Sequence, residues 1–158
     1  MNRDAVFSPC GTYRYLLQRS WDIRLKAVCF LMLNPSTADA SQDDPTVRRC
    51  LGFAARLGFG QIEIVNLFAL RTTDPAKLRE HHDPIGPEND EQIVAAAHIC
   101  DTTICAWGTN GTYQGRDKVV LTLLRDNGIK PHALRLSKRG HPAHPLYLPG
   151  SLTPIPLT

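Results

Sequence analysis

The stretch Arg135-Leu136-Ser137-Lys138-Arg139-Gly140-His141-Pro142-Ala143-His144-Pro145-Leu146-Tyr147-Leu148 holds two histidines and three cations between prolines. A rigid loop of this kind can present an imidazole as a preorganised donor toward a developing negative charge, with Lys and Arg available for phosphate. A solvated basic loop has the same composition. Asn66 directly follows the apolar run ending at Val65. A carboxamide offers one donor and one acceptor side by side, the pattern of a nucleobase edge, and it can equally satisfy loop backbone groups. Leu33-Asn34-Pro35-Ser36-Thr37-Ala38-Asp39 is a polar loop after an apolar run. It contains no G-x-G-x-x-G and no G-K-[ST], which excludes the dinucleotide and P-loop readings. Asn-Pro starts turns, and Ser and Thr cap helices. Asp39, Asp43 and Asp44 could hold Mg²⁺ in a nuclease, although an acidic cluster beside a helix start also reads as capping. His81 and His82 fall in a polar loop, and His98 suits a helix C-terminus. The six His and five Cys form none of the usual ligand spacings, so no metal and no cofactor are expected. No G-x-S-x-G elbow supports a serine hydrolase.

These residues need a scaffold, and the apolar pattern supplies one. Ala5 to Phe7, a Pro/Gly turn and Tyr13 to Arg19 predict a hairpin, with Tyr13, Tyr15 and Leu17 alternating with polar neighbours. Lys26 to Leu33 reads as a strand buried on both faces. Asp44-Pro45 opens a helix that carries Val47, Cys50, Leu51, Ala54 and Leu57 to Gly58. Ile62 to Val65 is a second strand ending at Asn66. Asp74-Pro75 opens a short helix, and Pro87-Glu88 opens a longer one with Ile93, Val94 and Ala97 on one face. Thr102 to Trp107 is a third strand, stopped by Gly108. Gln114 to Asn127 is a helix burying Val119, Val120, Leu123 and Leu124. His132 to Leu136 is a fourth strand, followed by a docked Pro-rich tail.

The alternation predicts an α/β fold: a three-layer sandwich, with a four-stranded, mainly parallel sheet, helices on both faces and an N-terminal β-hairpin. Ligands of such sheets bind beyond the carboxyl ends of the strands. Four segments should therefore converge: Asn34 to Asp39, Asn66 to Thr72, Gly108 to Gly111 and Ser137 to Tyr147.

The 158 residues suit a single domain spanning 1–158, and ~150 residues bury roughly 70% of the unfolded surface. Hydrophobic residues at 42% and charged residues at 21% exclude a disordered chain, a collagen-like repeat and a simple coiled coil. The net charge of +3 permits an anionic partner without demanding one. Cys10, Cys29, Cys50, Cys100 and Cys105 are odd in number and lack C-x-x-C, which points to reduced thiols in a cytoplasm. No apolar h-region follows the charged N-terminus, so no signal peptide is expected. The longest apolar run is too short to span a bilayer, so no membrane partner is expected.

Met32-Leu33-Asn34-Pro35-Ser36, Val65-Asn66-Leu67, Ala106-Trp107-Gly108 and His141-Pro142-Ala143-His144-Pro145-Leu146 resemble, in order, four motifs of the uracil-DNA glycosylase superfamily over roughly residues 26 to 150. Asn34 corresponds to the mismatch-specific branch rather than to the Asp of the uracil-specific branch. Ser36 replaces a Gly of the motif. The whole chain is also similar to a family of small bacterial and phage proteins without an established activity, marked by L-N-P-S-T-A-D, D-P-T-x-R-R, V-N-L-[FY]-A-x-R and a closing G-x-P-x-H-P-L-Y, all of which stand in this sequence.

The glycosylase resemblance implies an N-glycosidic bond hydrolase acting on a damaged or modified base in DNA, as in DNA repair, or on a nucleotide. Asn34 would position water, and His144 or His141 would donate to the leaving base. Asn66 would read the base edge. Pro35 and Gly108 would border the base, and Phe53, Phe68 or Trp107 would stack on it. Ser36, Arg48, Arg49, Lys138 and Arg139 would meet the nucleic acid, and Leu146, Tyr147 and Leu148 would fill the gap in a duplex. The alternative is a non-catalytic binder of a nucleobase, nucleotide or nucleic acid on the same pocket.

Overall fold

A computed structural model describes residues 1–158. Seven strands form one mixed sheet: β1 (Asn2–Phe7), β2 (Arg14–Ser20), β3 (Ala27–Met32), β4 (Gln61–Asn66), β5 (Thr102–Cys105), β6 (Pro131–Ala133) and β7 (Ile155–Pro156). Their order is β1-β2-β4-β3-β5-β6-β7. The pairs β4–β3, β3–β5 and β5–β6 are parallel, whereas β1–β2, β2–β4 and β6–β7 are antiparallel.

This corrects the expected four-stranded, mainly parallel sheet. The hairpin is not an appendage, because β2 extends the sheet antiparallel to β4 with Leu17 opposite Ile64 and Ser20 opposite Gln61. The Pro-rich tail adds β7, with Ile155 opposite Ala133. Two residues are too few to show a period of two, and an edge position tolerates Pro156.

Three helices complete the fold: α1 (Pro45–Arg56), α2 (Asn89–Ile99) and α3 (Arg116–Asp126). The strand β3 explains how they are placed. It is apolar without interruption, yet its side chains still alternate between faces. Val28, Phe30 and Met32 join Ile62, Ile64 and Ile104 under Val47, Cys50, Phe53 and Ala54 of α1. Cys29 and Leu31 join Val65, Cys105 and Trp107 under Ile93, Ala96 and Ala97 of α2 and Val120 and Leu124 of α3. Helix α1 starts where Asp44 accepts the Val47 N–H at 2.8 Å, with Pro45 at the first position. Helix α3 begins two residues later than the apolar pattern implies, because Gln114 takes φ +57° and breaks the preceding turn. Val119 is exposed there.

The five cysteines are free, with Cys29, Cys50 and Cys105 buried. No helix is long and apolar enough to cross a membrane.

Candidate functional site

The carboxyl ends of β3, β4 and β5 are knitted together by backbone bonds that continue the ladder. Leu67 N–H donates to Met32 at 2.9 Å, Phe68 N–H to Leu33 at 3.0 Å and Ala106 N–H to Leu31 at 2.8 Å. The last loop is tied in by Gly108 N–H, which donates to the Pro142 carbonyl at 2.8 Å. Gly108 turns at φ +76°, a backbone state that L side chains rarely adopt. The turn Pro145–Tyr147 is pinned to α1 by Arg49, whose Nε donates to the Pro145 carbonyl at 3.2 Å and whose guanidinium lies 5.0 Å from the Phe53 ring centre.

A cavity of about 440 Å³ opens at this end of the sheet. Its wall carries residues from all four predicted segments: Asn34 and Ser36, Asn66 and Thr72, Gly108 and Asn110, His144 and Leu146. Trp107 also lines it.

Asn66 stands out among these residues. It is 1% exposed, and neither Oδ1 nor Nδ2 has a hydrogen-bond partner. Its backbone carbonyl is already taken, because Asn89 Nδ2 donates to the carbonyls of Asn66 at 2.9 Å and Leu67 at 3.1 Å. Arg116 Nε also donates to Leu67 at 2.8 Å and pairs with Asp90. The starts of α2 and α3 therefore clamp the backbone at the end of β4, while the side-chain amide stays unused. A buried polar group without a partner costs about 1–3 kcal/mol. Trp107 Nε1 is likewise buried without a partner.

Asn34 is oriented differently. Its Nδ2 donates to the carbonyls of Thr72 at 2.8 Å and Pro35 at 3.0 Å. Oδ1 is left without a protein donor and is available to a water or a ligand.

His144 Nδ1 accepts the Leu146 N–H at 3.2 Å. That bond places the proton of the neutral ring on Nε2, a donor. His144 is an exposed residue at the cavity rim. Partial withdrawal from water lowers its pKa from the ordinary imidazole range, and the Asp44 carboxylate opposes the shift. The folded protein therefore holds fewer protons at this site than the unfolded chain, so stability rises with pH and is lost on acidification below about pH 6.5. His144→Asn keeps an acceptor for Leu146 and removes the titration. Melting temperatures taken from about pH 5 to 7.5 should fall less steeply toward acid in this variant than in the wild type. Parallel curves would contradict the assignment.

The remaining predicted site residues lie elsewhere. Phe53 is 2% exposed in the core beneath α1, and Phe68 is fully buried against Tyr113 on the opposite side of the sheet. Neither reaches the cavity, so Trp107 is the aromatic that lines it. Pro35 is buried outside the wall. His141 also lies outside the wall; its N–H donates to Ser137 Oγ and its carbonyl accepts the Ser137 N–H. Lys138 and Arg139 are exposed at the tip of that turn. Arg48 Nη1 donates to the Asp43 carbonyl at 3.3 Å, and Arg49 is committed to Pro145. Tyr147 is 92% exposed beside the rim, whereas Leu148 is 8% exposed and belongs to the core.

The acidic cluster does not form a single ligand set. Asp39 caps the Ser41 and Gln42 N–H groups, Asp43 pairs with Arg19 at 2.9 Å, and only Asp44 lines the cavity.

Sequence reasoning missed Arg14, which lines the same cavity at 3% exposure. The alternation in β2 marks it as an outward-facing residue. Instead, the loop after β3 folds over that face: Arg14 Nη1 donates to Ala38 at 3.0 Å and Arg19 Nη2 to Asp39 at 2.6 Å. No local pattern in the sequence signals that this face is covered: Arg14 and Arg19 lie five residues apart, and the register of β2 against β1 shifts between Val6 and Phe7.

Residues 14–146 match the model of a family described as protein of unknown function (DUF1643). No curated protein and no solved structure matches the chain.

Proposed function

We propose, for a chain that belongs to the DUF1643 family, that the cavity receives a nucleobase and that the protein hydrolyses the N-glycosidic bond joining it to a sugar, in a nucleotide or in DNA. The observation that carries this reading is the Asn66 carboxamide, held in the cavity wall with both polar atoms buried and unpaired. A donor and an acceptor side by side complement a base edge, and binding one repays the standing cost of the empty amide. At 1% exposure the amide is met only after the side chains over it yield slightly. Trp107 supplies an aromatic wall. The resemblance of the four strand-end motifs to uracil-DNA glycosylases supports the same chemistry.

In this reading the bond breaks toward an oxocarbenium-like sugar and an anionic base. His144 Nε2–H donates to the base oxygen where charge gathers. Asn34 Oδ1 accepts a hydrogen bond from the incoming water and orients it without taking its proton; once the water has bonded to the cationic sugar, that proton passes to the anionic base, which leaves neutral. A fixed neutral donor of this kind is worth about 10²–10³ in rate.

The test is incubation with base-modified oligonucleotides and nucleotides, with free base measured by chromatography. Base release should fall about 10²–10³-fold in His144→Asn and change little in His141→Ala. Equal losses in the two variants would reverse the assignment of the donor. A binding-only reading is favoured by one observation: residue 34 is a carboxamide whose Nδ2 is locked to backbone, not a carboxylate base. Tight binding without base release would establish it.

A further inference from the structure

We propose that the cavity ligand is a nucleoside monophosphate and that Arg14 receives its phosphate, an inference that rests on the base-binding reading and narrows it to a free mononucleotide.

Arg14 is a buried cation in search of an anion. Its guanidinium carries five N–H donors. One reaches the Ala38 carbonyl at 3.0 Å, Nε is buried with no partner, and Arg14 forms no ion pair, unlike the buried Arg19 and Arg116. Buried charges ordinarily pair, because removing an ion from water costs several kcal/mol. The cost is visible in the chain itself: desolvation pushes the Arg14 pKa down to about 10, against the partial support of Asp44. A cavity phosphate would supply the missing counter-charge, and a guanidinium fork suits phosphate oxygens bidentately.

The surroundings agree. Ser36, Thr46 and Thr73 line the same cavity with hydroxyls that make no hydrogen bond within the chain. Thr46 lies in the first turn of α1, where the helix dipole favours an anion. Asp44 lines the cavity too and offsets part of the guanidinium charge, so the site suits one phosphate rather than a polyphosphate. The burial of Arg14 selects the type of phosphate. A phosphodiester within a strand needs room for a nucleotide on each side, whereas a receiver that is 3% exposed accommodates a terminal phosphate. A volume of about 440 Å³ is in the range of small-ligand sites, which run from roughly 300 to 1,000 Å³.

Calorimetric titration of the full chain tests this with four probes: the common 2′-deoxynucleosides, their 5′-monophosphates, deoxyribose 5-phosphate and short single-stranded trinucleotides. At least one monophosphate should bind about tenfold or more tightly than its nucleoside, in line with charge-assisted hydrogen bonds. Deoxyribose 5-phosphate should compete with it. Arg14→Gln should bring the ratio of nucleotide to nucleoside affinity close to one. Equal binding of nucleoside and monophosphate by the wild type overturns the proposal, and so does a ratio that survives Arg14→Gln or a trinucleotide that binds more tightly than every monophosphate. If Arg14→Gln does not fold, the wild-type comparison decides by itself.

The two readings fail differently. Arg14-dependent binding of deoxyribose 5-phosphate, with nucleosides silent, would sink the base site and uphold the phosphate site. Nucleosides that bind as well as their phosphates would do the reverse. If no probe binds, both are overturned.

Discussion

Replacing Asn66 by Leu should raise the melting temperature and remove ligand binding at the same time. The amide sits at the end of β4 with both polar atoms buried and unpaired, so the native fold carries an unmet desolvation cost of about 1–3 kcal/mol. Leu has nearly the same shape and no polar atoms. The nearby side chains Met32, Leu33 and Ile64 on the cavity wall are apolar and can accept it. Each kcal/mol corresponds to roughly 2–4 °C for a domain of this size. The backbone clamp from Asn89 and Arg116 does not involve the Asn66 side chain and should persist. Binding should fall by at least about two orders of magnitude, because a site built around a hydrogen-bonded edge loses both of its bonds. Thermal melts together with titration of nucleosides and nucleotides check both halves. A fall in melting temperature with unchanged affinity would mean that Asn66 is a structural residue, and the base-reading role would be lost.

Gly111→Ala should damage the cavity from behind. A Cβ at this position would lie 2.2 Å from Trp107 Cδ1 and 2.8 Å from Nε1. The indole is 2% exposed among packed neighbours and lines the cavity, which offers it open space to shift into. Overpacking of this sort costs about 1–3 kcal/mol. The displaced ring should also narrow the space for a planar ligand and reduce affinity well beyond what lost stability explains. Gly60→Ala provides the comparison, since its Cβ would lie 1.9 Å from the Asp22 carbonyl oxygen, far from the cavity wall. Folded Gly60→Ala protein should melt lower yet bind normally. Equal affinity losses in both variants would show that stability alone governs binding and that Trp107 has no special place in the wall.

The strand-end rule accounts for most of what the sequence revealed about the cavity. Asn34, Asn66, Gly108 and His144 each follow an apolar run or sit in the last loop, and a parallel ladder through β4, β3, β5 and β6 brings such positions to one edge. The edges of the sheet were harder to read. Strand β7 has two residues, and the antiparallel addition of β2 depends on a ladder with β4 that no local pattern announces. Arg14 was illegible for a related reason. The loop after β3 covers its face from a distance in sequence: Ala38 accepts from Arg14, and Asp39 and Gln42 accept from Arg19. Phe53 and Phe68 show the converse error: an aromatic near a motif is as readily core as ligand platform, and only packing separates the two.

The protein has two tryptophans, and only one of them lines the cavity. Trp21 is half-buried beside Asp22, whereas Trp107 is almost wholly enclosed, with an indole N–H that touches no acceptor. The two should therefore emit differently: Trp107 toward the blue and sheltered from acrylamide, Trp21 toward the red and readily quenched. An occupant stacked against the cavity wall would dim the sheltered component selectively. The fold thus contains its own optical gauge of occupancy, free of any attached dye, and Trp21→Phe would isolate that signal for screening compounds whose identity is not known in advance.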